Sequence, residues 1–217
     1  MIASPELRSA LEAAVSDAAG AFRLERATPA PGGCIHRSFI LEGGGCKFFA
    51  KINDRSHFDT FAAEAEGLAA LAAAGARVPA PLCRGEGGKE AFLVLEYLDL
   101  RRTGDHAALG RALAAMHSVH GDNYGWRRDN YIGATPQFNR QSASWSEFWS
   151  EARLAPQLAL ARKNGLGNGL VRKGERLAAA RAPIAVPKVQ SEGRRDQCKA
   201  RRQHQQTGYG ARRERRE

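Results

Sequence analysis

"PGGCIHRSFILEGGGCKFFAKIN", residues 31–53, decides the fold. Two apolar runs, IHRSFIL and CKFFAKIN, flank the glycine cluster EGGG, a pattern that predicts an antiparallel hairpin. The pair Gly32–Gly33 opens the first strand, and Lys51 stands near the end of the second. Those two ends of a hairpin lie on the same side of the sheet. Backbone amides near Gly32 and Gly33 and the Lys51 ammonium are therefore expected to face one cavity, and exposed amides beside a fixed cation make a cradle for phosphate. Strand alternation puts Phe49 and Lys51 on one face and Phe48, Ala50 and Ile52 on the other.

Before the hairpin, Ser4-Pro5-Glu6 is a helix start: a capping serine, a proline in the first turn, then an acid. Leu7, Leu11 and Val15 follow at helical spacing and predict a helix over 4–19. FRLERA, 22–27, reads as a strand. After the hairpin, FDTFAAEAEGLAALAAAG predicts a helix ended by Gly75, and RVPAPL is extended by its prolines. AFLVLEYL, 91–98, is a buried strand. Residues 105–118 form a helix with Leu109, Leu113 and Met116 on one side, and 144–155 another, with Trp145, Phe148, Trp149 and Ala152 on one stripe. Strands thus give way to helices, which is the order of an α+β lobe followed by a helical lobe.

Glu64 shares its helix face with Phe61, Leu68 and Leu71, the inward apolar side. An acid there needs a partner, and Lys51 is the natural one. Glu66 points elsewhere and reads as solvated. A Lys–Glu pair of this kind sets a lysine on the α- and β-phosphates in kinase-like folds. A helix-end ion pair without function is the competing reading. The strand LVLEYLDL then runs into a linker whose backbone at Glu96, Tyr97 and Leu98 is placed to meet an adenine edge.

From about Glu6 to about Ala180 the chain resembles the fructosamine kinase (ketosamine-3-kinase) family, a branch of the kinase-like aminoglycoside and choline phosphotransferases. YGW, DNYIGATPQFN and W..FW.E.RL.PQL carry the densest likeness. GGCIHRSF resembles the family's phosphate loop, FFAKIN its lysine strand and FAAEAEGLAAL its helix glutamate. The resemblance implies a protein-kinase-like fold with a nucleotide-binding lobe over 1–98 and the beginning of a helical lobe over 99–180. It also implies ATP and Mg²⁺ as cofactors, and a ketosamine, free or on a glycated lysine, as phosphoryl acceptor. Asp129, Asn130, Gln137 and Asn139 resemble positions near the acceptor pocket; they could equally pin a long loop. An aminoglycoside- or choline-type acceptor and an inactive nucleotide-binding fragment are the alternatives.

His120-Gly121-Asp122 looks like a catalytic loop but sits where the family has a turn before its YGW element. The family's own loop resembles His-Gly-Asp-Leu-Trp-x-Gly-Asn, comes later, and is followed by a metal-binding aspartate. Neither motif occurs in these 217 residues, so the catalytic aspartate and the metal ligands are expected to be absent and the chain to be inactive. The likeness fades at RLAAARAPIAVPKVQ, which predicts a truncated or frameshifted reading beyond it.

Charge changes at the same place. Residues 1–180 hold 22 Lys/Arg against 19 Asp/Glu, and 181–217 hold 11 against 4. No Leu, Ile, Val, Phe, Met or Trp follows Val189, so the tail is expected to be disordered. Without an aromatic stacking pattern its basic charge argues against a nucleic-acid arm. No apolar run reaches the ~18 residues of a membrane span, and the four cysteines have no paired spacing. A cytoplasmic protein with free thiols is expected. Cys34, in the glycine loop beside Lys51, is either a redox-sensitive thiol or a small packing residue.

Overall fold

Ser4 starts the first helix. Its hydroxyl accepts from the Leu7 N–H at 3.2 Å, and α1 runs Pro5–Ala19 with Leu7, Leu11 and Val15 buried. The computed structural model describes residues 2, 4–31, 33, 35–100 and 103–180. The expectations for Gly32, Cys34 and the 181–217 tail lie outside the described residues.

Five strands follow: β1 (Arg26–Pro29), β2 (Arg37–Gly43), β3 (Cys46–Asp54), and, after α2 (Phe58–Ala73), β4 (Pro81–Gly87) and β5 (Glu90–Glu96). They form one antiparallel sheet in the order β1-β2-β3-β5-β4. Between β2 and β3, Gly44 (φ 56°) and Gly45 (φ 75°) take the left-handed conformations that a tight two-residue hairpin turn requires.

The sheet is covered on both sides. Phe39, Leu41, Ala50, Ile52, Phe92 and Val94 pack against α1. Ala91, Leu93 and Leu95, with Phe49, pack around Phe61 of α2. Strand β5 sits between two neighbours and is buried on both faces, which is why AFLVL reads as an unbroken apolar run. Gly87 lets α1 come close: a Cβ there would lie 2.6 Å from the Leu7 Cα.

The strand expected over FRLERA begins only at Arg26. Phe22 and Leu24 are buried, yet their backbone bonds to side chains of α1. Ser16 Oγ accepts from the Phe22 N–H at 3.0 Å, and Glu12 Oε1 accepts from the Leu24 N–H at 2.9 Å. Arg8 donates to the Leu24 carbonyl. Those polar side chains take the place of a strand neighbour.

Asp105 caps α3 (His106–His117), accepting from the Ala108 N–H at 3.0 Å. No residue of α3 is buried; Leu109 is 57% and Leu113 45% exposed. The apolar side read from sequence is present but uncovered among the described residues. A two-strand hairpin, β6 (Asn130–Ile132) and β7 (Thr135–Gln137), comes next, unanticipated in the sequence. Ser144 then caps α4 (Trp145–Phe148). The helix expected over 144–155 does not stay α-helical. It passes through a π-helical stretch, Trp149–Leu154, into α5 (Ala155–Lys163). Pro156 has no N–H for the carbonyl four residues back, Ala152 O, and Arg153 Nη1 donates to that oxygen at 3.0 Å instead. Phe148 and Ala152 are buried. The described part closes with α6 (Asn168–Ala179). No helix among the described residues is long and apolar enough to cross a membrane.

Candidate functional site

Lys51 sits on the β3 face turned to α2, and Glu64 comes to it from the second turn of that helix. The ammonium donates to Glu64 Oε1 at 2.5 Å, each side chain about a quarter exposed at 27% and 26%. The pair lies at a cavity of about 400 Å³, to which Gly33, His36 and Ser38 contribute from the hairpin side. Asn130 and Tyr131 of β6 line it from the opposite side. The cavity therefore holds one cation, one carboxylate and several uncharged donors.

His36 is held in a defined way. Asn53 Nδ2 lies 3.0 Å from His36 Nδ1 and donates to the Ile35 carbonyl at 2.9 Å, while Asn53 Oδ1 accepts from the Asp54 N–H at 2.8 Å. The imidazole packs 4.8 Å from the Phe61 ring and 5.5 Å from that of His57. Burial first, then the Lys51 ammonium, hold its pKa below the ordinary histidine value, with Glu64 opposing and His57 adding to the depression.

Helix α2 is also gripped from the segment before β6. Arg128 pairs with Asp59, and with Glu66 Oε1 at 3.3 Å; Arg127 lies 3.2 Å from Glu66 Oε2; the Tyr131 hydroxyl donates to Asp59 Oδ2 at 2.9 Å. Glu66, read from sequence as solvated, is instead half-buried between two guanidinium groups. Hydrogen bonds from Arg128 and then Tyr131 hold the Asp59 carboxyl below its usual range. Asp59, Arg127, Arg128 and the Tyr131 hydroxyl were not singled out in the sequence. The adjacent pair Arg127–Arg128 and the acid at the start of α2 were the available signals.

The four residues resembling an acceptor pocket separate. Asn130 lines the cavity. Its Oδ1 also accepts from Gln137 Nε2 at 3.0 Å and from Asn139 Nδ2 at 2.8 Å. Asp129 Oδ1 accepts from the Asn139 N–H at 2.7 Å. Asn139, 3% exposed, donates to the Arg128 carbonyl at 3.0 Å and accepts from Arg153. Asp129, Gln137 and Asn139 thus pin the 128–139 loop to itself, and none of the three lines the cavity.

The linker residues are partly committed as well. The Glu96 N–H donates to the Ala80 carbonyl at 2.8 Å, so it is not available to a ligand. Its carboxylate takes two bonds from Arg77 at 2.6 and 2.8 Å, which with the Ala80 N–H hold its pKa down. Tyr97 and Leu98 are half-buried, and Lys47 Nζ lies 5.9 Å from the centre of the Tyr97 ring. Glu96, Tyr97 and Leu98 do not line the cavity at Lys51. Asp122 is exposed in the bend before Tyr124 and does not line it either. Among the described residues no group of three His, Cys, Asp or Glu side chains is placed to hold a metal ion.

The family model described as fructosamine kinase matches residues 8–189. The probable ketoamine kinase of Synechocystis is 44% identical over 147 residues, 65% of this chain and 50% of its own length. The chloroplastic protein-ribulosamine 3-kinase of Oryza sativa is 37% identical over 160 residues, 70% of this chain and 46% of its own. A Haemophilus somnus crystal structure, assigned by its name to the fructosamine-3-kinases, superposes with a TM-score of 0.73 at 26% identity, covering 81% of this chain and 62% of that one. The chain spans about half the length of the curated relatives it matches. The fold is kinase-like, and the chain belongs to the fructosamine kinase family.

Proposed function

We propose that this chain carries the nucleotide-binding part of an ATP-dependent ketosamine kinase. The observation that carries the reading is the Lys51–Glu64 pair, 2.5 Å apart at the edge of the cavity. An ammonium steered by a carboxylate is a preorganised counter-charge, and charge on transferring phosphoryl oxygens is what such a counter-charge stabilises. Lys51 would hold phosphate oxygens of ATP, with the loop amide at Gly33 beside it. Glu64 would keep the ammonium from folding back on solvent. ATP when bound supplies the phosphoryl group. The metal that accompanies it has no ligand cluster among the described residues.

Residues 1–98 form the nucleotide lobe in this reading, and Asn130 and Tyr131 contribute the far wall, where a ketosamine hydroxyl, free or on a glycated lysine, approaches. The Glu96 carbonyl and the backbone of Tyr97 and Leu98 remain for the adenine edge. No His-Gly-Asp-Leu-Trp loop occurs in the sequence, and we propose that these 217 residues alone bind nucleotide with little turnover. The free thiol of Cys46 and the lack of a spanning helix among the described residues support a cytoplasmic setting.

Calorimetric titration with MgATP tests the reading. Binding by the wild-type chain, weakened roughly 10- to 100-fold in Lys51→Met, is expected for a charge-assisted contact to phosphate. Equal affinity of the two proteins refutes it. An ATP-consumption assay with glycated lysine as acceptor tests the low turnover.

A further inference from the structure

Asn53 is locked. Its side-chain oxygen is taken by the Asp54 N–H at 2.8 Å, and so its amide nitrogen must face both the Ile35 carbonyl at 2.9 Å and His36 Nδ1 at 3.0 Å. An amide nitrogen only donates, so the atom opposite it must accept. His36 Nδ1 is therefore the bare nitrogen of a neutral ring, and the ring proton sits on Nε2. Nε2 has no hydrogen-bond partner among the described residues, and His36 lines the cavity that Lys51 lines.

We propose that His36, in the tautomer fixed by Asn53, is a phosphate-binding residue that donates from Nε2–H to the nucleotide held at Lys51. The inference rests on the nucleotide reading of the cavity and adds to it a second, uncharged donor. An uncharged donor suits this place. The Lys51 charge is already matched by Glu64 at 2.5 Å, and a second cation beside it would repel Lys51. The groups facing the ring are Lys51 on β3, Glu64 and Phe61 on α2, and His57 just before α2. Two of the three charged or titratable neighbours disfavour a second proton, as does the Asn53 donor. The depressed pKa agrees with that balance. The donor is thus present at neutral pH without any titration.

Long-range ¹H–¹⁵N correlation spectra of the full chain, free and with MgATP, test both halves. At pH 8 the free protein should show His36 with a bare Nδ1 and a protonated Nε2, and MgATP should shift Nε2. A proton on Nδ1 overturns the proposal. Three variants then read MgATP affinity. His36→Phe keeps the ring against Phe61 but removes the donor, and should weaken binding roughly tenfold or more. His36→Gln restores an amide donor at the position of Nε2 and should stay within about threefold of wild type. His36→Phe at wild-type affinity, with Lys51→Met impaired, overturns this inference alone. Absence of MgATP binding in the wild type overturns the nucleotide reading beneath it and this inference with it.

Discussion

Lys51 Nζ lies 2.5 Å from Glu64 Oε1, and the helix that carries Glu64 is held on another side by Arg128, which bonds Asp59 and Glu66. One helix thus answers to two sets of charges. The sheet side fixes where the ammonium goes, and the 127–131 segment fixes where the helix goes.

Removing the carboxylate should affect binding more than folding. Glu64→Ala leaves the Lys51 ammonium without its carboxylate partner, and MgATP affinity is expected to fall by roughly tenfold. Glu64→Gln, which keeps an accepting oxygen, should lose less. Calorimetry on both variants, alongside thermal unfolding near the wild-type midpoint, checks this.

Arg128→Ala removes the guanidinium shared by Asp59 and Glu66. Exposed ion pairs contribute about 0–1 kcal/mol, and a shared, 31%-exposed guanidinium belongs at the upper end. A loss of about 1 kcal/mol should lower the melting temperature by roughly 2–4 °C. Arg128→Lys cannot reach both carboxylates in a fork and should recover only part of it. Circular dichroism melts separate the three proteins.

The same contact gives a pH dependence. Arg128 and Tyr131 hold the Asp59 carboxyl below its ordinary value of about 3.9. Folding therefore favours the ionised form. The stabilisation is fully present above about pH 5 and is lost as pH falls through the folded-state value. Urea unfolding of wild type and Asp59→Asn should differ by a constant amount from about pH 7 to pH 5, and the difference should shrink as the pH falls further. A difference that grows on acidification contradicts the assignment.

Gly87→Ala tests the seat of α1. The added Cβ would meet the Leu7 Cα at 2.6 Å and the Glu6 carbonyl oxygen at 2.8 Å, both backbone atoms of a packed helix. Displacing that helix should cost about 1–3 kcal/mol, read as an earlier denaturation midpoint with an unchanged slope.

What could be read from the sequence was whatever local pattern determines. The β2–β3 hairpin is written in alternation and two turn glycines, and Glu64 is marked by the apolar residues on its own helix face. β5 is marked by a run too apolar for anything but a strand covered twice. What could not be read depends on partners far along the chain. Phe22 to Leu24 carry a strand-like composition, but Glu12 and Ser16 take their amides. Arg128 finds Asp59 across 69 positions, and nothing in the spacing of either announces it. Asn139 looks like a pocket residue because it is polar and aligned with one, yet it is buried and its amide is bonded to Arg128, Asn130 and Arg153. The stripe of Trp145, Phe148, Trp149 and Ala152 was visible, but the π-helical stretch lies where Pro156 leaves the Ala152 carbonyl without a backbone donor and Arg153 bonds it instead.

The two holds on α2 also differ in how soon the chain can make them. Lys51 and Glu64 are 13 residues apart, whereas Arg128 and Asp59 are 69 apart. Closing a longer loop costs more entropy, and contacts of long separation form late in folding. The hairpin and α2 can therefore bring the ammonium and its carboxylate together while the 127–131 segment is still unformed. In the native state the order runs backwards. The Arg128 contacts are partly exposed while β3 and β5 carry buried residues, so amide exchange around Arg128 is expected to outpace that of β3 and β5.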